Sequence, residues 1–346
     1  MNSKKNGSPP AKLTPNKALK DRNTFGLDSR AEFAYEITTA EQIPPLLQAL
    51  KEQAISWRVL GGGSNVILPT HLLGATLLMN ITGQAIENVD EKSTFVSVGA
   101  GENWHTFVTW TLDQGLPGLE NLALIPGTVG AAPIQNIGAY GVEIGEYIDS
   151  IEAFDSEAHA FVTLTRDECQ FAYRDSLFKQ YPNRFIVTRV ILQIPKAWSA
   201  RISYADLTKQ FSDATAAPTP KAIFAAVCQI RNQKLPDPKV IGNAGSFFQN
   251  PLIDIAHYES LIKQFPEIIS YPATPGKRKL GAGWLIDHCG FKGLTLGPVG
   301  VYKHQALVIV HYGNGTAQDI MNIAKTIQDK VHDTFGVHLT IEPNIL

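Results

Sequence analysis

Three short polar groupings in this chain have residue types that could carry chemistry. The first is Tyr173-Arg174-Asp175-Ser176, set between apolar flanks. An arginine held there can grip a carboxylate through two parallel N–H bonds and stabilise negative charge developing on it. Pattern alone also allows, and more often delivers, a local Arg174–Asp175 ion pair. The second is Ser246, between Gly245 and Phe247. A hydroxyl on that tight backbone could donate a proton to a substrate atom, although serine beside glycine usually just makes a turn. The surroundings do not fit GxSxG, so a hydrolase elbow is set aside. The third is Glu342, which by itself reads as a solvated charge on an edge strand.

Two glycine-bearing stretches could hold a ligand for these groups. Gly118 to Gly141 has five glycines and two prolines in 24 residues, but one full charge, Glu120. It shows no helix or strand period, yet it is too apolar and varied for a flexible linker. A long ordered loop of this kind is usually functional. Glycines let its backbone approach a ligand closely, and successive N–H groups can cradle an anion without any lysine. A diphosphate laid on uncharged backbone is the expectation, a Gly-rich surface loop without a ligand the alternative. The second stretch, Gly61-Gly62-Gly63-Ser64-Asn65, follows the short strand Trp57 to Leu60. It does not open a long helix in the GxGxxG manner, so a Rossmann domain is not predicted.

The elements around these stretches read as a mixed α+β chain. Thr38 and Glu41 have capping-box spacing before a helix whose apolar face is Ile43, Leu46, Leu47 and Leu50. A strand within Phe95–Trp104 breaks at glycine. It leads to a helical face of Trp104, Phe107, Val108 and Leu112, ended by Gly115. Residues 148–165 alternate like strands, and Ile186 to Ile194 is a further strand. Thr219-Pro220 starts a helix with Ile223, Ala226, Val227 and Ile230 on one face and Arg231 and Lys234 near its exit. Thr316 caps a helix carrying Ile320, Ile323, Ala324, Ile327 and Val331, stopped near Gly336, before a final strand in 337–346.

Composition narrows the function classes. With 44% apolar and 18% charged residues in 346, the chain is an ordinary globular protein long enough for two or three domains. A net charge of −2 offers no basic face for nucleic acid, and no apolar run is long enough to cross a membrane. Three scattered cysteines argue against a disulfide framework, and the nine histidines show no ligand spacing, so no metal site is expected. Residues 1–20 are Lys-rich and polar without a signal-peptide core, and read as a disordered tail on a cytoplasmic protein.

Taken together, Leu60–Leu68, Val98–His105, the Gly118–Gly141 loop, Tyr173–Lys179, Lys234–Lys239, Gly242–Pro251 and Ala282–Gly293 closely resemble one family. It is the UDP-N-acetylenolpyruvoylglucosamine reductases (MurB), flavoenzymes of bacterial cell-wall synthesis. The match runs from Asn23-Thr24-Phe25-Gly26 to Glu342. The uninterrupted loop, the YRDS segment and the Tyr204 segment are similar to the type I branch.

The resemblance implies a vanillyl-alcohol-oxidase/PCMH-type FAD-binding fold plus a C-terminal substrate-binding domain. The implied parts are FAD-binding subdomains at 21–81 and 82–234, a substrate domain at 235–334, and a strand at 335–346 returning to the active site. FAD would rest on Gly61, Gly62, Gly63, Ser64 and Asn65 and, from the loop, on Pro126, Gly127, Gly130, Asn136, Gly138, Ala139, Tyr140 and Gly141. NADPH would reduce FAD, which would then reduce UDP-GlcNAc-enolpyruvate to UDP-N-acetylmuramate. Arg174 and Glu342 match the residues that stabilise the enolate-like intermediate, and Ser246 matches the proton donor. Tyr173, Tyr204, Lys234, Asn250, Tyr271 and Gln305 fall on substrate-binding positions. The ending departs from the family's usual LEPEVRFIG-like segment. Counting without gaps from Phe335 puts Glu342 at the catalytic position, whereas aligning the Glu-Pro pair would put Asn344 there. A monomer is expected. An FAD-dependent oxidase of the same fold is one rival, but the loop lacks the His or Cys that often tethers flavin. A silent nucleotide-sugar sensor is another, although Arg174 and Ser246 are both retained.

Overall fold

The structure is a computed structural model that describes residues 12–212 and 216–346. The chain divides into two compact units, each made of interleaved segments. Unit 1 takes residues up to Lys17, Ala31–Gly62 and Leu73–Arg231. Unit 2 takes Ala18–Arg30, Gly63–Leu72 and Asn232–Leu346.

Unit 1 carries two sheets. One is ordered Thr14–Ala18, Arg30–Ile37, His71–Met79, Trp57–Leu60, and the last two strands run parallel. The other is antiparallel and ordered Ala160–Thr165, Ile148–Asp155, Phe185–Pro195, Ser93–Gly99, Gln84–Val89. The helix Ile43–Glu52 buries Ile43, Leu46, Leu47 and Leu50, the face expected from their spacing. Its lead-in differs by one residue from the expected box. Gln42, not Glu41, turns back, and its Oε1 accepts the N–H groups of Thr38 and Thr39 at 2.7 and 3.1 Å. A 3₁₀ turn over Ala40–Gln42 precedes the helix and shifts the register. The helix Trp104–Asp113 buries Trp104, Phe107, Val108 and Leu112, is capped by Asn103, and is followed by Gly115 at φ +71°. Pro220–Lys234 buries Ile223, Ala226, Val227 and Ile230.

The expectation of a disordered tail over 1–20 is corrected in part. Thr14–Ala18 is a strand and Leu19 is fully buried, while residues 1–11 lie outside the described ones. Backbone pairing does not need side-chain alternation, so the polar sequence TPNKA hid the strand.

Unit 2 has an antiparallel sheet ordered Gly242–Asn243, Ile309–His311, Val299–Val301, Thr295–Leu296. A three-stranded sheet joins Leu252–Asp254, Lys277–Leu280 and Ser270–Pro272. Helix Ala317–Phe335 closes the core with Ile320, Ile323, Ala324, Ile327 and Val331. Thr316 caps it, and Gly336 ends it at φ +66°. The expected final strand over 337–346 is much shorter than predicted. Ile341 makes an isolated bridge to Phe248, and only Asn344–Ile345 is a strand, parallel to Val66–Ile67. Val337 and Leu339 alternate because they face the core, but Pro343 interrupts the donor row before a ladder can extend.

Candidate active site

In unit 1 the Gly118–Gly141 loop is ordered by side chains on its neighbours. Trp104 Nε1 donates to Leu122 O at 2.9 Å, and Leu124 N–H donates to His105 Nδ1 at 3.1 Å. Asn121 Nδ2 donates to the carbonyls of Tyr140 (2.9 Å) and Arg201 (2.8 Å). Asn136 Nδ2 donates to Glu143 Oε2 at 2.8 Å, and its Oδ1 accepts Gly145 N–H at 2.9 Å. Glu120, the loop's one charge, is buried but fully engaged. It takes Trp198 Nε1 and Gly118 N–H, each at 2.6 Å. None of these anchors except Asn136 was singled out from sequence as a site residue. The lone Glu120 in an apolar loop was the available signal.

The two glycine-bearing stretches meet within this unit. A Cβ built on Gly62 would lie 2.9 Å from Gly127 Cα, and one on Gly61 would lie 2.6 Å from Thr128 Oγ1. At Gly62 only glycine lets the two backbones touch, whereas Gly61 faces the Thr128 side chain. Pro126 is exposed at the tip, Gly130 and Asn136 are buried, and Gly138 and Ala139 form a short hairpin with Val142–Glu143. Tyr140 adopts φ +48° ahead of Gly141 at +82°.

Arg174 reaches the same loop. Its Nη2 donates to Gly138 O at 2.9 Å, its Nη1 to Asn136 O at 3.4 Å, and its guanidinium lies 5.3 Å from the Tyr173 ring centroid. Asp175 instead accepts Ser176 N–H at 2.9 Å and Gln180 Nε2 at 3.0 Å. Arg174, Asn136 and Tyr140 all have left-handed backbone, at φ +54°, +46° and +48°. Each such residue costs about 1–2 kcal/mol, and strain of this sort collects at functional sites. Tyr204 packs edge-on to Tyr140 with ring centroids 5.4 Å apart. Burial raises the Tyr140 hydroxyl above its usual range.

In unit 2 the Ser246 turn is set by Asn243. Its Oδ1 accepts Gly245 N–H at 2.9 Å, and its Nδ2 donates to Ile241 O at 2.9 Å and Pro236 O at 3.1 Å. Phe247 and Phe248 are buried beneath, and Ser246 is exposed. Phe247 N–H donates to Leu307 O at 2.8 Å, and Glu342 N–H donates to Phe247 O at 2.9 Å. Glu342 is half-buried, while Asn344 is exposed. Asn65 Nδ2 donates to Glu342 O at 3.3 Å and Asn65 O accepts Asn344 N–H at 2.9 Å, so the second glycine stretch runs directly to the chain's final segment. Gly63, at φ +62°, passes so near Arg22 O that any side chain would collide. Thr24 Oγ1 donates to Ser64 O at 3.3 Å.

The other expected substrate positions are in unit 2 as well. Asn250 Oδ1 accepts Ala282 N–H at 3.0 Å, and Gln305 Oε1 accepts Leu307 N–H at 3.3 Å. Tyr271 is exposed opposite Lys279, and Lys234 is half-buried at its helix end. Unit 1 thus brings together Arg174, Asn136, Gly138, Tyr140, Tyr173 and Tyr204. Unit 2 brings Ser246 and Glu342 together through the Phe247 hydrogen bond.

Comparison with known proteins identifies the family. A model of the C-terminal domain of UDP-N-acetylenolpyruvoylglucosamine reductase matches residues 236–346, and an FAD binding domain model matches 31–163. The UDP-N-acetylenolpyruvoylglucosamine reductase of Polynucleobacter asymbioticus is 64% identical over 346 residues, covering 100% of both chains. The chain belongs to this reductase family. The Paraburkholderia phymatum reductase is 48% identical over 331 residues, 94% of this chain and 95% of the relative. The solved reductase of Thermus caldophilus covers 96% of this chain and 98% of its own. Its TM-score is 0.66 at 24% identity, which speaks for the fold. The reductase is therefore an FAD-dependent oxidoreductase of peptidoglycan synthesis, α+β in fold, with an FAD-binding domain and the family's C-terminal domain. The close approach of the Gly62 and Gly127 backbones, in a loop whose one carboxylate is already tied up, fits a diphosphate-bearing cofactor.

Proposed function

We propose that this reductase takes electrons from NADPH and reduces the enolpyruvyl double bond of UDP-GlcNAc-enolpyruvate, forming UDP-N-acetylmuramate. FAD, when bound, supplies the hydride chemistry between the two. The cofactor-holding residues in this reading are Gly61 to Asn65 and, in the long loop, Pro126, Gly127, Gly130, Asn136 and Gly138 to Gly141. Tyr173, Tyr204, Lys234, Asn250, Tyr271 and Gln305 bind the nucleotide sugar. Lys234 acts as a point charge for diphosphate, and the tyrosines offer ring faces and hydroxyls.

Addition of hydride to the methylene carbon leaves an electron pair on the adjacent carbon, delocalised into the carboxylate. The bonds from Arg174 Nη2 and Nη1 to the Gly138 and Asn136 carbonyls hold a permanently charged, fork-shaped donor against the loop, which supports a role in holding that carboxylate. Ser246 then supplies the proton to the carbanionic carbon. A serine hydroxyl is a weak acid, so it needs an assisting neighbour. The observation that carries the reading is the Glu342 N–H bond to Phe247 O, one residue from Ser246. It supports Glu342, rather than exposed Asn344, as the residue that works beside the proton donor.

The test is anaerobic spectroscopy of purified protein. Yellow protein that bleaches with NADPH and regains colour with UDP-GlcNAc-enolpyruvate carries both steps. Bleaching by NADPH without substrate-dependent recovery overturns the substrate assignment. Protein that takes up no FAD overturns the cofactor site.

A further inference from the structure

Arg231 lies near the C-terminal end of the helix Pro220–Lys234, and its Nε is closed off from solvent with no hydrogen-bond partner among the described residues. The groups whose charge bears on it are the hydroxyl of Tyr140, beside it, and the thiol of Cys228. Its own charge bears on His105, whose Nδ1 is occupied by Leu124 N–H and whose ring stacks on Phe224 at 5.4 Å. Neither Tyr140, Cys228 nor His105 is a carboxylate. Glu120, the one acid of the neighbouring loop, is already taken by Trp198 and Gly118. Arg231 is half-buried as a residue, but arginine cannot shed its proton, and a cation whose Nε is shut away from water without a partner is unfavourable. The helix end supplies only a partial negative charge and leaves Nε unmet.

We propose that Arg231 is a cofactor-binding residue whose guanidinium, steadied by the Tyr140 hydroxyl, takes an anionic oxygen of bound FAD. The proposal rests on the FAD-binding assignment. Tyr140 belongs to the loop that carries that assignment, so the protein holds the cation at the cradle before the anion arrives. Burial lowers the affinity of Arg231 for its own proton and raises that of the Tyr140 hydroxyl, consistent with a pair awaiting a stronger acceptor. Two parts of FAD offer such an oxygen, the diphosphate and the pyrimidine edge of the flavin, which becomes more negative on reduction.

The experiment is FAD titration of apoprotein by flavin fluorescence quenching, using the parent chain, Arg231→Gln, Arg231→Lys and Tyr140→Phe, with circular dichroism as the folding check. Arg231→Gln is expected to weaken FAD binding at least 30-fold, Arg231→Lys to recover part of the loss, and Tyr140→Phe to lose at least fivefold. A midpoint potential lowered in Arg231→Gln assigns the contact to the flavin edge, and an unchanged potential assigns it to the diphosphate. If Arg231→Gln does not fold, the proposal requires losses of at least fivefold in both Arg231→Lys and Tyr140→Phe. Folded variants that bind FAD within threefold of the parent overturn it while leaving the FAD-binding assignment intact. A parent chain that binds no FAD overturns both.

Discussion

Ser246 and Glu342 stand on neighbouring backbone joined by the Glu342 N–H bond to Phe247 O, a link that fixes their spacing whatever their side chains do. Substitutions there therefore test chemistry more than folding. Ser246→Ala is expected to leave NADPH-driven FAD reduction nearly unchanged and to slow substrate-dependent reoxidation by about 10²–10⁴. Stopped-flow absorbance separates the two half-reactions, and an equal loss in both would remove Ser246 from proton donation. Glu342→Gln is expected to damage reoxidation as well, whereas Asn344→Ala, at an exposed position, is expected to matter little. The reverse ranking would move the catalytic carboxyl assignment off Glu342. At this scale the family-like motifs were legible because each is a contiguous run of residues. Arg231 was visible only as a cation near a helix exit, because its closed-off Nε depends on packing from distant segments.

Among elements, periodicity marked helix faces well. Ile223, Ala226, Val227 and Ile230 are buried as their spacing requires, since a packed helix must bury one stripe. Hydrogen-bonded edges were less legible. Thr14–Ala18 has no apolar alternation, and Val337 and Leu339 alternate without forming a ladder, because side-chain burial and backbone pairing are separate conditions. The glycine stretches were legible as special backbone but not as mutual neighbours. Their contact yields a prediction. Gly62→Ala would set a Cβ 2.9 Å from Gly127 Cα, and overpacking of this kind costs about 1–3 kcal/mol. The variant is expected to melt several degrees lower and to retain less FAD on gel filtration. An unchanged melting curve with full flavin content would show that this contact does not shape the cradle.

For the molecule as a whole, Cys169 is fully buried, and burial pushes its thiol up to about 12. The thiols of Cys228 and Cys289 are also raised by burial. At pH 8 a thiol at about 12 is ionised only about one time in 10⁴, against about one in four for an ordinary cysteine. Native protein is therefore expected to react slowly with a disulfide reagent at pH 8, and denatured protein to react at once with all three thiols. Rapid labelling of Cys169 in the native state would contradict its burial. The interleaving of the two units also bears on how the chain is made. Residues 18–30 and 63–72 leave the ribosome early, but their unit is completed by residues 232–346. At about 5–20 residues per second, those 115 residues take roughly 6–23 s to synthesise. Through that interval Phe25, Leu27 and Ile67, all destined for the core of unit 2, have no core to enter. Chaperone demand during translation should centre on these early segments, not on the catalytic ones.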